Sequence, residues 1–188
     1  ALPKGAPLGT ASLRRQAQAL AIRPDLRIET LRGNVDTRLK RLADGDFDAI
    51  LLAAAGLNRL GLGDRVRSFL DPWAAPTAPG QGALALQCRA DSPWRDGLAA
   101  LADRDTELCV AAERGALIAL EANCRTAMGA FARRSGEDIE LAVEALSSDG
   151  TRRWRREGRC SADPVAAHAL GLDLGQWVRD EAGDGLLE

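Results

Sequence analysis

The feature that most constrains the fold of this chain is residues 48–54, a run that is apolar after its first residue. Such a run is typical of a strand buried on both faces of a parallel sheet. Residues 6–10 and 26–31 also have the composition of strands, and helical signals follow each of them. We therefore predict a β-α-β-α-β order and a doubly wound α/β domain, in which ligands bind at the carboxyl ends of the strands.

The helices between these strands have recognisable ends. Ser12 is a suitable N-cap for a helix that continues to Ala21 and is stopped by Pro24. A second helix is expected over 34–42, and a short third helix around Leu57. Each helix would begin directly after a strand, so that its N-terminus lies at the edge of the sheet where ligands are expected.

The second half of the chain predicts a different architecture. Residues 71–79 contain three prolines and indicate a linker. Asp149–Gly150 is a strong hairpin turn between two strand-like segments. Strands grouped between helices predict a small α+β domain with a three-stranded antiparallel sheet. The expected elements are a strand over 83–88, helices over 91–102 and 107–120, strands over 129–134, 139–146 and 151–159, and a helix over 164–180.

Arginines gather at two of the predicted strand-to-helix corners, within residues 9–15 and 31–39. A helix N-terminus offers free N–H groups and a partial positive charge. A guanidinium adds two parallel hydrogen bonds to a carboxylate or a phosphate. Two such corners favour a cleft for a ligand with several negative charges. The alternative is that these arginines only cap helices or lie on a solvated surface.

Composition excludes several classes of function. Lys and Arg number 25 against 27 Asp and Glu, so nucleic-acid binding through bulk charge is not expected. The basic run over 151–159 is interpreted as an edge strand kept soluble by its charge. No apolar run is long enough to span a bilayer, and we expect no signal peptide. Four widely spaced cysteines and one histidine predict no metal site and a reducing, cytoplasmic location.

Cys124, in a predicted loop beside Arg125, is the cysteine with the strongest case for chemistry. A neighbouring guanidinium lowers the pKa of a thiol and so increases the reactive thiolate. On the residues alone, a packed cysteine without a chemical role remains the better interpretation, because most free cysteines belong to cores. No histidine lies nearby to act as a base, so a papain-like hydrolase is not expected. Cys88 and Cys109 lie in apolar patterns and are predicted to be core residues.

Five motifs that follow one another along the chain carry a resemblance to a known family. They are Gly-Thr-Ala-Ser-Leu-Arg-Arg at 9–15, Leu-Arg-Gly-Asn-Val-Asp-Thr-Arg-Leu at 31–39, Ala-Gly-Leu-Asn-Arg-Leu-Gly at 55–61, Pro-Gly-Gln-Gly-Ala at 79–83 and Leu-Glu-Ala-Asn-Cys-Arg-Thr at 120–126. In this order they resemble the porphobilinogen deaminases, also called hydroxymethylbilane synthases. The resemblance covers essentially the whole chain.

The resemblance implies a protein of three domains, of which this chain lacks most of the first. Residues 1–79 would be the second domain, an α/β domain like those of periplasmic binding proteins, with the substrate and cofactor cleft. Residues 80–104 would be the strand and helix that return to the first domain, and residues 105–188 the third, cofactor-attachment domain. Full-length family members are expected to be monomers, whereas this chain, whose strand over 83–88 would lack partners, is expected to self-associate.

The resemblance also implies an enzyme, a transferase that condenses four porphobilinogen molecules into hydroxymethylbilane and releases ammonia. The product would grow on a dipyrromethane cofactor joined through a thioether to Cys124. Each pyrrole carries an acetate and a propionate, which arginines would bind. The implied cofactor ligands are Thr10, Ser12, Arg14, Arg15, Arg32, Gly33, Asn34 and Arg38. The implied substrate ligands are Arg32, Arg38, Arg59 and Gln81.

Some residues depart from the family pattern. Ala11, Ala122, Asn123 and Ala127 replace residues usual in the family, which affects loop stiffness more than chemistry. The family's catalytic aspartate matches no residue here, so the chain alone is expected to be inactive. The alternative function is a non-catalytic α/β module that binds or senses a small anion, and such a module would not need Cys124.

Overall fold

Two three-stranded sheets organise residues 2–122 and 126–183, the part of the chain that the computed structural model describes. The first sheet is parallel, in the order β2-β1-β3, and the second is antiparallel, in the order β4-β5-β6. The first half contains β1 (Pro7–Gly9), α1 (Leu13–Ile22), β2 (Arg27–Glu29), α2 (Val35–Ala43), β3 (Ala49–Ile50), α3 (Ala54–Arg59) and a 3₁₀ turn (Gly63–Arg65). The second half contains α4 (Arg95–Ala99), α5 (Arg104–Ala119), β4 (Met128–Ser135), β5 (Asp138–Leu146), β6 (Arg153–Ser161) and α6 (Pro164–Ala182). The predicted α/β order and the antiparallel sheet are confirmed.

Side-chain caps fix where the main helices begin. The Ser12 hydroxyl accepts from the backbone N–H of Arg15 at 3.4 Å, and the Asn34 side chain accepts from Thr37 at 2.9 Å. The Ser12 cap stands where the sequence predicts it, whereas Asn34, expected to be the first residue of its helix, is the cap before it. The helix predicted over 107–120 begins earlier, at Arg104, because Asp103 is its cap. Caps of this kind satisfy N–H groups that have no partner within the helix.

The antiparallel sheet, α5 and α6 share one continuous core. Its fully buried side chains include Leu108, Leu141, Val143 and Val178. The two helices approach closely at glycines, since a Cβ added to Gly171 would meet the carbonyl oxygen of Ala112. Among the strands of the described residues, β6 pairs only with β5, as expected for the basic segment predicted as an edge strand. No helix within the described residues has both the length and the apolar character needed to cross a membrane.

The two sheets are joined through α1. The Gln18 side chain donates to Glu144 on β5 at 2.6 Å and to the carbonyl oxygen of Pro76 at 2.9 Å. A small apolar cluster of Ala17, Ala127 and Leu146 lies beside these bonds. The junction therefore combines burial with hydrogen bonds to a carboxylate that solvent does not reach.

The strand predicted over 48–54 is present, but its predicted length and its burial on both faces are wrong. β3 contains only Ala49 and Ile50, and both are partly exposed. β3 pairs with β1 alone within the described residues. Among the described residues, no strand pairs with the other edge of β3 to extend it.

The segment that follows the linker differs most from expectation. Residues 83–88 form no strand and no other described strand pairs with them, so Leu84 and Leu86 are 84% and 62% exposed. Cys88 is consequently exposed instead of buried in a core. The helix predicted over 91–102 is reduced to α4. The apolar pattern is present, but the described residues provide no surface to cover it.

Candidate anion-binding cleft

A cavity of about 630 Å³ opens beside the carboxyl end of β1. This volume suits a small-molecule site. Its polar wall includes Thr10, Ser12, Arg14, Arg15, Arg38 and Gln81, all of which the sequence predicts as site residues. Its apolar wall includes Leu117, Ala122 and Met128. We refer to this cavity as the cleft.

The cleft lies where the sheet topology favours a ligand site. The chain passes from β1 to β2 on one side and then to β3 on the other side, so a crevice forms outside the carboxyl ends of β1 and β3. Arg15 crosses this crevice, because its guanidinium donates to the carbonyl oxygen of Leu51 at 3.1 Å. The parallel sheet thus accounts for the site's position.

Arg14 is a structural bridge at the back of the cleft. It is only 8% exposed and donates to the carbonyl oxygen of Pro76 at 2.9 Å and to the Gln18 side chain at 3.2 Å. Its other terminal nitrogen donates to the Gln81 side chain at 3.3 Å. Burial lowers the pKa of Arg14 to about 10, with a further contribution from the charge of Arg15. These bonds hold the linker, at Pro76, and the segment after it, at Gln81, against α1.

Arg15 and Arg38 provide the positive charge of the cleft. Burial lowers the pKa of Arg15, and the charge of Arg38 lowers it further, which places two like charges close together. Arg38 donates to the carbonyl oxygen of Gly33 at 2.7 Å. Among the ion pairs of the described residues, none includes Arg15 or Arg38. Two partly buried cations that face one cavity without a carboxylate suit an anionic ligand.

Four predicted site residues do not line the cleft: Arg32, Gly33, Asn34 and Arg59. Arg32 and Arg59 are exposed to solvent. Gly33 has a φ of 114°, a conformation that favours glycine, and its carbonyl oxygen receives the Arg38 guanidinium. Asn34 caps the helix that carries Arg38. Gly33 and Asn34 therefore act on the cleft through the placement of Arg38.

Cys124 and Asn123 lie outside the described residues. Ala122 and Thr126, which flank them in the chain, both line the cleft. Sequence reasoning did not identify Leu117 and Met128 as site residues, because their apolar patterns are those of ordinary core positions. Only the packing of α5 and β4 beside α1 reveals that these two side chains also form a wall.

The sequence matches two family models. The model described as "Porphobilinogen deaminase, dipyromethane cofactor binding domain" matches residues 1–95. The chain belongs to the porphobilinogen deaminase family. The model described as "Porphobilinogen deaminase, C-terminal domain" matches residues 107–180. The first match contains the arginine corners of the cleft, and the second contains the antiparallel sheet.

Bacterial porphobilinogen deaminases are similar to nearly the whole chain. That of Caulobacter vibrioides (strain NA1000 / CB15N) is 58% identical over 193 residues, covering 99% of this chain and 59% of the relative. That of Phenylobacterium zucineum (strain HLK1) is 57% identical, with coverages of 99% and 60%. That of Nitrobacter hamburgensis is 45% identical, with coverages of 97% and 58%. The chain therefore spans about three fifths of the length of these relatives.

Proposed function

We propose that this chain provides the cofactor cleft and the C-terminal part of a porphobilinogen deaminase. This transferase condenses four porphobilinogen molecules into hydroxymethylbilane and releases ammonia. The observation that carries the proposal is that Arg15 and Arg38 share one cleft without a carboxylate partner among the described residues. A growing chain of pyrroles that bears acetates and propionates is an anionic ligand of the kind these cations would bind.

The residues of the cleft fit a dipyrromethane cofactor. Such a cofactor, joined by a thioether to Cys124, supplies the pyrrole to which further units are added. In this proposal Arg15 and Arg38 bind its carboxylates, while Leu117 and Met128 contact the faces of its rings. The Thr10 hydroxyl oxygen accepts from the Ser12 N–H at 3.2 Å, which leaves its proton for a carboxylate. Arg14 supports the back wall of the cleft behind these side chains.

The remaining roles rest on the family resemblance. We propose that the exposed Arg32 and Arg59 receive incoming substrate, and that Gln81 and Arg38 complete its site. Residues 1–79 would form the domain like those of periplasmic binding proteins, with 80–104 returning to a first domain and 105–188 forming the third. That first domain would supply the catalytic aspartate and cover Leu84 and Leu86 in a monomeric, cytoplasmic enzyme. The exposure of these leucines supports the proposal.

The rival proposal, a non-catalytic α/β anion-binding or sensing module, also uses an arginine-lined cleft. It gives no role to Cys124, and the family match does not favour it. The two proposals differ most at Cys124, because only the enzyme requires a covalent bond there.

Replacing Cys124 tests the covalent attachment. In the natural full-length protein, we expect Cys124→Ala to abolish the mass increment of an attached dipyrromethane. Cys88→Ala is the control, because the structure places Cys88 at the surface, away from the cleft. Intact mass spectrometry measures both variants. A Cys124→Ala variant that still carries the dipyrromethane would exclude attachment through Cys124.

Arginine-to-lysine exchange tests the carboxylate contacts. Lysine keeps the charge but loses the two-pronged geometry, and a hydrogen bond to a charged group contributes about 1.5–3 kcal/mol. Since a tenfold rate change corresponds to about 1.4 kcal/mol, we expect Arg15→Lys and Arg38→Lys each to lower kcat/KM for porphobilinogen about tenfold or more. Arg27→Lys, at an exposed pair with Glu29, is the matched control. Unchanged kinetics in both cleft variants would exclude the proposed contacts.

A further inference from the structure

Glu113 on α5 is a buried carboxylate with an unusual set of partners. It is 6% exposed, yet none of the ion pairs among the described residues includes it. One carboxylate oxygen accepts from the backbone N–H of Gly80 at 2.7 Å, and the other accepts from that of Ala132 at 2.9 Å. Both oxygens thus accept from backbone groups of other segments. These bonds offset part of the cost of burying the charge, and burial still raises the pKa of Glu113.

The first of these backbone groups belongs to a tight turn in the cleft wall. In the turn 78–81, Pro79 and Gly80 are the central residues, Gly80 has a φ of 70°, and the Gln81 N–H donates to the carbonyl oxygen of Ala78 at 3.0 Å. These features define a type II turn. The Gly80 N–H takes no part in closing the turn, so it is available to Glu113. The next residue, Gln81, lines the cleft and receives the guanidinium of Arg14.

The second backbone group belongs to the free edge of β4. β5 is the only strand of the described part of the chain that pairs with β4, and on the other side of β4 the Ala130 N–H donates to the carbonyl oxygen of Thr77 at 2.9 Å. Ala132 is the next residue whose N–H points to that side, and Glu113 accepts from it. The carboxylate therefore continues the pairing at the point where the chain turns away from β4.

We infer that Glu113 is a positioning residue for the cleft: its carboxylate fixes the turn 78–81 against β4 and thereby holds Gln81 at the cleft wall. Glu113 itself does not line the cleft. The effect on catalysis rests on the proposed function, whereas the link from Glu113 to Gly80 does not. A glutamine at this position would offer one acceptor oxygen, and its NH₂ group would face an N–H.

The test uses Glu113→Gln in the natural full-length protein, with Glu107→Gln as a matched control. Glu107 lies on the same helix but is exposed. Amide hydrogen exchange followed by mass spectrometry reports on peptides that cover 76–82 and 130–134. We expect exchange in both segments to be about tenfold faster or more in Glu113→Gln, given the strength of hydrogen bonds to charged groups, and unchanged in Glu107→Gln. Glu113→Asp keeps both oxygens on a shorter side chain. Its exchange rates should lie between those of the parent protein and those of Glu113→Gln.

A double-mutant cycle separates positioning from general stability. If Glu113 acts through Gln81, Glu113→Gln lowers kcat/KM about tenfold alone but has little further effect in a Gln81→Ala background. If the losses in kcat/KM caused by Glu113→Gln and by Gln81→Ala were additive in free energy, the positioning role would be overturned. Unchanged exchange over 76–82 in both Glu113 variants would overturn the link itself. A parent protein that does not condense porphobilinogen contradicts the proposed function, and the exchange measurement still decides the link.

Discussion

The antiparallel sheet with its two helices and residues 60–102 contain similar apolar side chains but place them differently. In the sheet, Leu141 and Val143 are fully buried between β4, β6 and the helices. In residues 60–102, Phe69, Leu84 and Trp94 are largely exposed. The sheet strands find partners through two hairpins, whereas the second segment finds no strand within the described residues. Burial therefore depends on the availability of a neighbouring element as much as on the residue itself.

The largest expected difference between the two regions concerns leucine truncation. Leu141→Ala removes a fully buried side chain and should lower the free energy of unfolding of the 188-residue chain by about 2–5 kcal/mol. Leu84→Ala removes an exposed one and should change it by about 0.5 kcal/mol or less. Urea unfolding followed by circular dichroism measures both. A comparable loss from Leu84→Ala would mean that another copy or another segment covers Leu84 in solution.

Replacing a glycine by alanine tests how closely neighbouring backbones approach in each of the two regions. A Cβ on Gly171 would meet the carbonyl oxygen of Ala112 across the two helices, while a Cβ on Gly97 in α4 would meet no atom of the described residues within 4 Å. We expect Gly171→Ala to lower the free energy of unfolding by about 1–3 kcal/mol through overpacking. Gly97→Ala should be neutral or stabilising by up to about 1 kcal/mol, because alanine favours helices. The same urea titration compares them, and equal effects would contradict the close approach of α5 and α6.

The sequence predicted best where a few neighbouring residues decide the structure. The cap at Ser12 and the hairpin at Asp149–Gly150 are local signals, and both stand as expected. The strand over 83–88 is wrong because strand formation needs a partner that an apolar pattern does not specify.

The same limit applies to the cleft. Arg15 and Arg38 were predicted because their corners have a recognisable local pattern, and the structure brings them to one cavity. Glu113 was not predicted, because its role depends on segments far away in the chain, at Gly80 and Ala132. A glutamate on a helix is usually a solvated residue, and only the fold reveals that both of its oxygens are buried and bonded.

The smallest expected difference is between two thiols. Cys109 packs against the core of the sheet region, and its burial raises its pKa to about 11, with further contributions from the charges of Glu113 and Asp105. The thiolate is the reactive form of a cysteine, and at pH 8 only about 0.1% of Cys109 would be thiolate.

Cys88 lies exposed in the other region. We expect iodoacetamide to modify Cys88 at least about tenfold faster than Cys109 in the folded 188-residue chain, as measured by peptide-mapped mass spectrometry. Raising the pH from 8 to 9 should accelerate Cys109 about tenfold, because the pH is still below its pKa, and unfolding in urea should make the two rates similar. Equal rates in the folded chain would place the two thiols in similar surroundings and would contradict the difference between the regions.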